Sequence, residues 1–149
     1  MIASATRQSV RAATAEDWPA IERLLGARDL PTAGARAHLG TFVVAAEGPV
    51  VVGCAGIERY GDVGLLRSVA VAEGVAGKGL GAAVVTALLE RARGLGLRAL
   101  YLLTTSAAGY FPRFGFETIP RGSLPAVLEA SEELRGACPA SAVAMRLTV

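Results

Sequence analysis

Two regions of this 149-residue chain carry residue types suited to chemistry. The first is the run Gly77-Lys78-Gly79-Leu80-Gly81, placed where a helix begins. A helix N-terminus offers free N–H groups and the positive end of a dipole, which together attract anions. Glycines there let the backbone come close to a phosphate and adopt positive φ. The second is a pair of charges set in apolar text, Glu58 and Arg67. Glu58 continues a strand face that alternation assigns to Val52 and Cys54, which suits a carboxylate lining a cleft. It equally suits a strand-end acid paired with Arg59 or Arg67. Arg67 lies between Leu66 and Ser68 in an otherwise apolar strand. A buried arginine needs an anionic partner. Either a bound oxyanion, which its fork fits well, or Glu58 meets that need. Tyr60, Thr104, Thr105 and Ser141 are further polar groups for a cleft, and each fits a turn or a cap as well.

The elements that must position these residues follow from periodicity and punctuation. Val10 to Ala12 opens as a strand. Thr14 with Asp17 makes a capping-box-like start for a helix through Leu25, with Pro19 in its first turn. Residues 30–39 read as a short second helix capped by Thr32. Phe42–Ala46, Val50–Tyr60 and Leu65–Val71 read as strands joined by tight turns, hence an antiparallel meander. Leu80, Val84, Leu88 and Leu95 form one stripe of a long helix. Ala99–Leu103 follows as a buried strand, closing a parallel strand–helix–strand unit. Ala107–Phe114 is a short helix stopped by Gly115, Phe116–Ile119 a strand, Ser123–Leu134 a further helix and Ala142–Leu147 a closing strand. The expected architecture is mixed α/β (α+β), a mostly antiparallel sheet of six or seven strands flanked by helices, in one domain over 1–149.

Composition narrows the function. With 52% hydrophobic and 19% charged residues the chain is not disordered. A net charge of +2 with no basic block argues against nucleic acid. Cys54 and Cys138 form no CxxC pair, and one histidine, His38, makes a structural metal site improbable. Cys138 reads as a packing or loop thiol rather than a nucleophile, and His38 as a helix-surface or helix-end residue rather than part of a substrate lid. Residues 1–11 show no signal-peptide pattern, and the richest apolar stretch is too interrupted to span a membrane. Reduced cysteines and a cytoplasmic setting are expected.

Three readings compete for the glycine loop. A Walker A loop needs a Gly five residues before Gly77, where Ala72 stands. A dinucleotide fingerprint would begin directly after its strand, and five residues intervene after Val71. The third reading is a coenzyme A pyrophosphate loop. Arg67-Ser-Val-Ala-Val71, then Gly77-Lys-Gly-Leu-Gly81, then Ala107 to Phe116 ending in Phe-Gly-Phe, resembles the GNAT N-acetyltransferase superfamily over about Val10 to Val149. Ala76 departs from the family's Arg/Gln at the first motif position, a charge that Lys78 partly replaces. Asp29-Leu30-Pro31, Cys54-Ala-Gly-Ile-Glu58, Leu66-Arg67-Ser68, Leu102-Leu-Thr-Thr105 and Arg135-Gly-Ala-Cys-Pro-Ala-Ser141 resemble, more narrowly, the arsenic-resistance N-acetyltransferases.

The resemblance implies acetyl-coenzyme A as cosubstrate, no metal, and direct attack by a small amine in a ternary complex. The amine would belong to an amino acid with an arsenical or phosphinate group; an ordinary amino acid or amine, or an acetyl-coenzyme A sensor without turnover, are the alternatives. Val69, Ala70 and Val71 would pair with the pantetheine arm, and Gly77 to Ala82 would hold the pyrophosphate, with Thr104 and Phe111 also at the cofactor. The central strands would splay beside the thioester. Val69 would supply the oxyanion N–H and Glu58 the base, with Arg67, Thr105, Tyr60 and Glu58 at the substrate. The family's acid tyrosine falls at Phe111, which has no proton to give; Tyr110 next to it would point about 100° away on a helix. Homodimers are common among such relatives.

Overall fold

The turn signal Glu47-Gly48-Pro49 joins β2 (Val43–Glu47) to β3 (Val50–Tyr60), with Gly48 at φ +57°. In this computed structural model, which describes residues 8–75, 79–137 and 141–149, β1 (Gln8–Ala12), β4 (Val63–Val71), β5 (Ala99–Thr104), β6 (Glu117–Ile119) and β7 (Val143–Thr148) complete one sheet. Its strand order is β1-β2-β3-β4-β5-β7-β6. Every neighbouring pair is antiparallel except β4 and β5, the parallel pair expected around the long helix. The last strand, β7, enters between β5 and β6.

Helices cover both faces, so the central strands are apolar throughout rather than alternating. α1 (Trp18–Ala27) packs Trp18, Ile21 and Leu25 on one face against Phe42, Val44 and Cys54. The Thr14–Asp17 capping box precedes it as expected, and Arg11 donates two hydrogen bonds to the Asp17 carboxylate at 2.7 and 2.9 Å. α2 (Leu80–Gly94) lays Val84, Val85 and Leu88 on the other face against Val43, Ile57, Leu66 and Leu100. Gly56 is where Phe42 crosses β3: a Cβ there would stand 2.1 Å from the ring.

Three expectations change. Residues 30–39 do not make a helix; a 3-10 turn spans Arg36–Thr41 instead. Gly34 at φ +76° breaks the helical path, and the carbonyls of Pro31 and Ala33 accept from Arg67 rather than from the chain ahead. Residues 123–134 are likewise not one helix. They divide into 3-10 turns at Arg121–Ser123 and Ala126–Ala130 and a π turn at Glu133–Ala137. Pro125 holds Leu124 extended, and Ser131 is extended too. The expected helix Ala107–Phe114 shrinks to a 3-10 turn at Phe111–Phe114, ended by Gly115 at φ +102°. Among the described residues no helix is long and apolar enough to cross a membrane.

Candidate active site

Two irregularities open the middle of the sheet. β4 and β5 pair only from Val63↔Ala99 to Leu65↔Tyr101, so beyond Leu65 the two strands part. On the other side of β4 the register shifts between Cys54↔Ala70 and Gly56↔Arg67, leaving Ser68 and Val69 opposite Ala55 alone. This is a β-bulge, and Ser68 sits in it at φ +61°, a conformation serine rarely takes. The Cys54 thiol donates to the Ser68 carbonyl at 3.2 Å and braces the bulge from behind. Burial pushes that thiol up to about 12, so it stays protonated.

The notch continues to the start of α2. The first intrahelical bond runs from Ala83 N–H to the Gly79 carbonyl at 3.0 Å, so the amides of Leu80, Gly81 and Ala82 have no partner within the helix. Gly79, the N-cap, holds φ +80°. The result is a cleft of about 740 Å³. Val69, Ala70 and Val71 form one wall, Gly79 to Ala82 one end, and Leu103, Thr104 and Phe111 the opposite side. Leu103 apart, these are residues expected at the cofactor; Gly77 and Lys78, expected there too, lie with Ala76 and Cys138 outside the described residues. Thr104 shapes the turn below the cleft: its Oγ1 accepts from Ala107 N–H at 2.9 Å.

Of the expected substrate residues only Arg67 lines the cleft, and its donors are already engaged. Its side chain is fully buried. Nη1 donates to Glu58 Oε2 at 2.6 Å and to the Ala33 carbonyl at 2.7 Å. Nη2 donates to the Pro31 carbonyl at 3.0 Å and Nε to Ser68 Oγ at 2.9 Å. The arginine therefore ties the 31–35 loop to the bulge, which corrects the expectation of a free anion clamp.

Glu58 is a correction as well. It does not line the cleft; it is buried behind Arg67 and also accepts from the Tyr60 hydroxyl at 2.5 Å. A carboxylate with both oxygens occupied is a poor base. A second bulge, in β3, breaks the alternation that predicts a shared face: the register against β2 shifts between Ala45↔Gly53 and Ala46↔Val51. Val52 consequently joins the core under α2, while Cys54 faces α1. Tyr60 also lies outside the cleft, its hydroxyl pushed up to about 12 by burial and by Glu58. His38 stacks edge-on against Tyr60, with Nε2 3.7 Å from Glu58 Oε1. Thr105 is exposed beyond the rim, because the turn after β5 carries it outward.

Among the cleft residues that were not expected, Tyr110 and Glu133 matter most for the chemistry. Tyr110 reaches the cleft beside Phe111, and its hydroxyl lies 3.0 Å from where a Cβ on Gly81 would stand. The expected 100° rotation assumed a continuous helix, whereas Tyr110 precedes a short 3-10 turn. Phe111 faces the same cleft, and Arg113 stacks its guanidinium 4.2 Å above the Tyr110 ring. Glu133 lines the cleft too, only 5% exposed. In the sequence it falls near the end of the expected helix Ser123–Leu134, and no local signal distinguishes it.

A strand edge freed where its parallel neighbour diverges, a bulge beside it and a helix N-terminus at the far end give an open sheet shaped to admit an extended, phosphate-bearing ligand. The chain matches the acetyltransferase (GNAT) family over residues 6–116 and belongs to that family. It is 36% identical over 85 residues to an amino-acid acetyltransferase of Mycobacterium tuberculosis, covering 56% of this chain and 47% of that one. It is 27% identical over 90 residues to an amino-acid acetyltransferase of Neisseria meningitidis, 59% of this chain and 21% of that one. The chain thus spans less than half the length of these curated relatives. Among solved structures, N-acetylglutamate synthase of Neisseria gonorrhoeae, complexed with coenzyme A and N-acetyl-glutamate, superposes with a TM-score of 0.80. That match covers 95% of this chain and 35% of the other at 22% identity, and shows the fold alone. Rv2747 of Mycobacterium tuberculosis, in complex with CoA and NLQ, gives 0.78 at 28% identity, covering 95% and 99% of the two chains.

Proposed function

We propose that residues 1–149 act as one acetyltransferase domain that moves the acetyl group of acetyl-coenzyme A onto the amine of a small amino acid. The observation that carries this is the β5-facing edge of β4, unpaired from the Ser68 bulge to Val71, ending at the amides of Leu80, Gly81 and Ala82, which have no partner within the helix. An extended pantetheine arm would pair with Val69, Ala70 and Val71 as an added strand, and the pyrophosphate would take the helix N-terminus. The thioester then lies where β5 has diverged, with the Val69 N–H as donor to the oxyanion. The Tyr110 hydroxyl and Thr104 are among the polar groups of this chain that line the cleft. The departing thiolate needs little help, since an ordinary thiol has a pKa near 8.5.

An amino-acid substrate is supported by the amino-acid acetyltransferases the chain resembles. An arsenical or phosphinate side-chain acid is the finer reading within that class, and it rests on the sequence motifs alone. Thiol release measured across amino acids, simple amines, and amino acids bearing arsonate or phosphinate groups tests both levels. Release on amino acids supports the class, and preference for the arsonates or phosphinates supports the finer reading. Coenzyme A binding without release on any of them overturns both and leaves a cofactor-binding module.

A further inference from the structure

One group in the cleft has no structural reason to be there as a carboxylate. Glu133 is 5% exposed, and its Oε2 is buried with no hydrogen-bond partner. Among the described residues no cation lies within ion-pair distance of it; Arg67, whose charge opposes it across the cleft wall, is committed to Glu58. A buried carboxylate without a partner costs several kcal/mol, and such a group calls for an explanation. The π turn at Glu133–Ala137 turns it inward, onto the cleft that Ser68, Val69 and Thr104 also line.

We propose that Glu133 is the general base that takes the proton from the substrate ammonium, a role that rests on the acetyl-transfer reading above. The substrate R–NH3+ gives one proton to the Glu133 carboxylate. The free amine attacks the thioester carbon, a C–N bond forms, and the carbonyl electrons move to the oxygen facing Val69 N–H. Collapse restores the carbonyl and breaks the C–S bond. The second nitrogen proton passes to the leaving sulfur, giving coenzyme A thiol and a neutral amide. Glu133 returns its proton to solvent.

The electrostatics suit the task. Burial, reinforced by the Glu58 charge and opposed by Arg67, raises Glu133 to about 7, where a base works best near neutral pH. Glu132 and Arg135 flank it on its own turn, and Arg28, Asp29 and Arg113 line the same cleft.

Initial rates against pH, with the amino acid that the wild type uses best, test the role in wild type, Glu133→Gln and Glu133→Asp. The wild type is expected to gain kcat/KM up to a plateau above about pH 7. Glu133→Gln should lose about 100-fold or more in kcat at neutral pH, keep its coenzyme A affinity, and show a rate that climbs until the amine itself deprotonates. Glu133→Asp should retain part of the rate with a displaced acid limb. An unchanged limb and kcat in Glu133→Gln overturns the base role, as does a loss confined to KM. If Glu133→Gln fails to bind coenzyme A, Glu133→Asp decides: a displaced limb supports the role and an undisplaced one overturns it. A wild type inactive on every amine overturns the acetyl-transfer reading and the base role with it.

Discussion

Arg67 and Glu58 show how two charges in apolar text resolve into structure. Each is almost completely buried, they meet at 2.6 Å, and the remaining arginine donors go to Ser68 Oγ and two loop carbonyls. Removing one partner of such a pair leaves an uncompensated buried charge, which costs about 3–5 kcal/mol. Arg67→Met is therefore expected to lower the urea midpoint by that much stability. The double variant Arg67→Met/Glu58→Leu should recover a large share of it. A stable Arg67→Met protein with only a raised KM for the amine would restore the anion-clamp role instead. The sequence offered both partnerships for Arg67; only the loop carbonyls of Pro31 and Ala33, distant in the chain, show which one holds.

At the scale of elements, β3 runs over Val50–Tyr60 and α2 begins at Leu80, both as the periodicity predicts. Tight turns and a clean apolar stripe are local features, so they survive folding. The features that make the cleft are not local. The bulge sits at a serine, not a glycine, and carries no turn signature. The divergence of β5 and the entry of β7 between β5 and β6 are set by packing between segments far apart in the chain. Tyr110 and Glu133 escape the sequence for the same reason: the periodicity predicts helices there that proline, glycine and extended residues break up. Gly79 is the element-scale test of the anion site. Replacing it with alanine at φ +80° costs about 1–2 kcal/mol. Calorimetric titration of Gly79→Ala is expected to show coenzyme A affinity about tenfold weaker, a loss of roughly 1.4 kcal/mol. Unchanged affinity would remove the helix start from the pyrophosphate site.

Across the whole molecule, two carboxylates pull the pH dependence of stability in opposite directions. Asp17, hydrogen-bonded to Arg11 and to Thr14, is lowered to about 2. Its contribution is present above its ordinary value of 3.8 and is lost as pH falls from there toward 2. Glu133 is raised from 4.5 to about 7, so the folded state holds that proton more tightly than the unfolded chain does. Stability from this group is full below pH 4.5 and is lost as pH rises toward 7. The loss is of order 3–4 kcal/mol at about 1.4 kcal/mol per unit. Denaturant titrations from pH 5 to 8 are accordingly expected to show wild type losing stability relative to Glu133→Gln. Parallel curves would place the Glu133 carboxyl near its ordinary value.

The most direct test follows the acetyl group itself. Protein, acetyl-coenzyme A labelled in its acetyl carbons and an amino acid are mixed, and the label is located by mass spectrometry over a single turnover. Label on the amino nitrogen, with coenzyme A thiol released and none carried by the protein, is the expected result. Label that stays on coenzyme A with every amine, or that accumulates on the chain, would contradict direct transfer in the β4–β5 cleft.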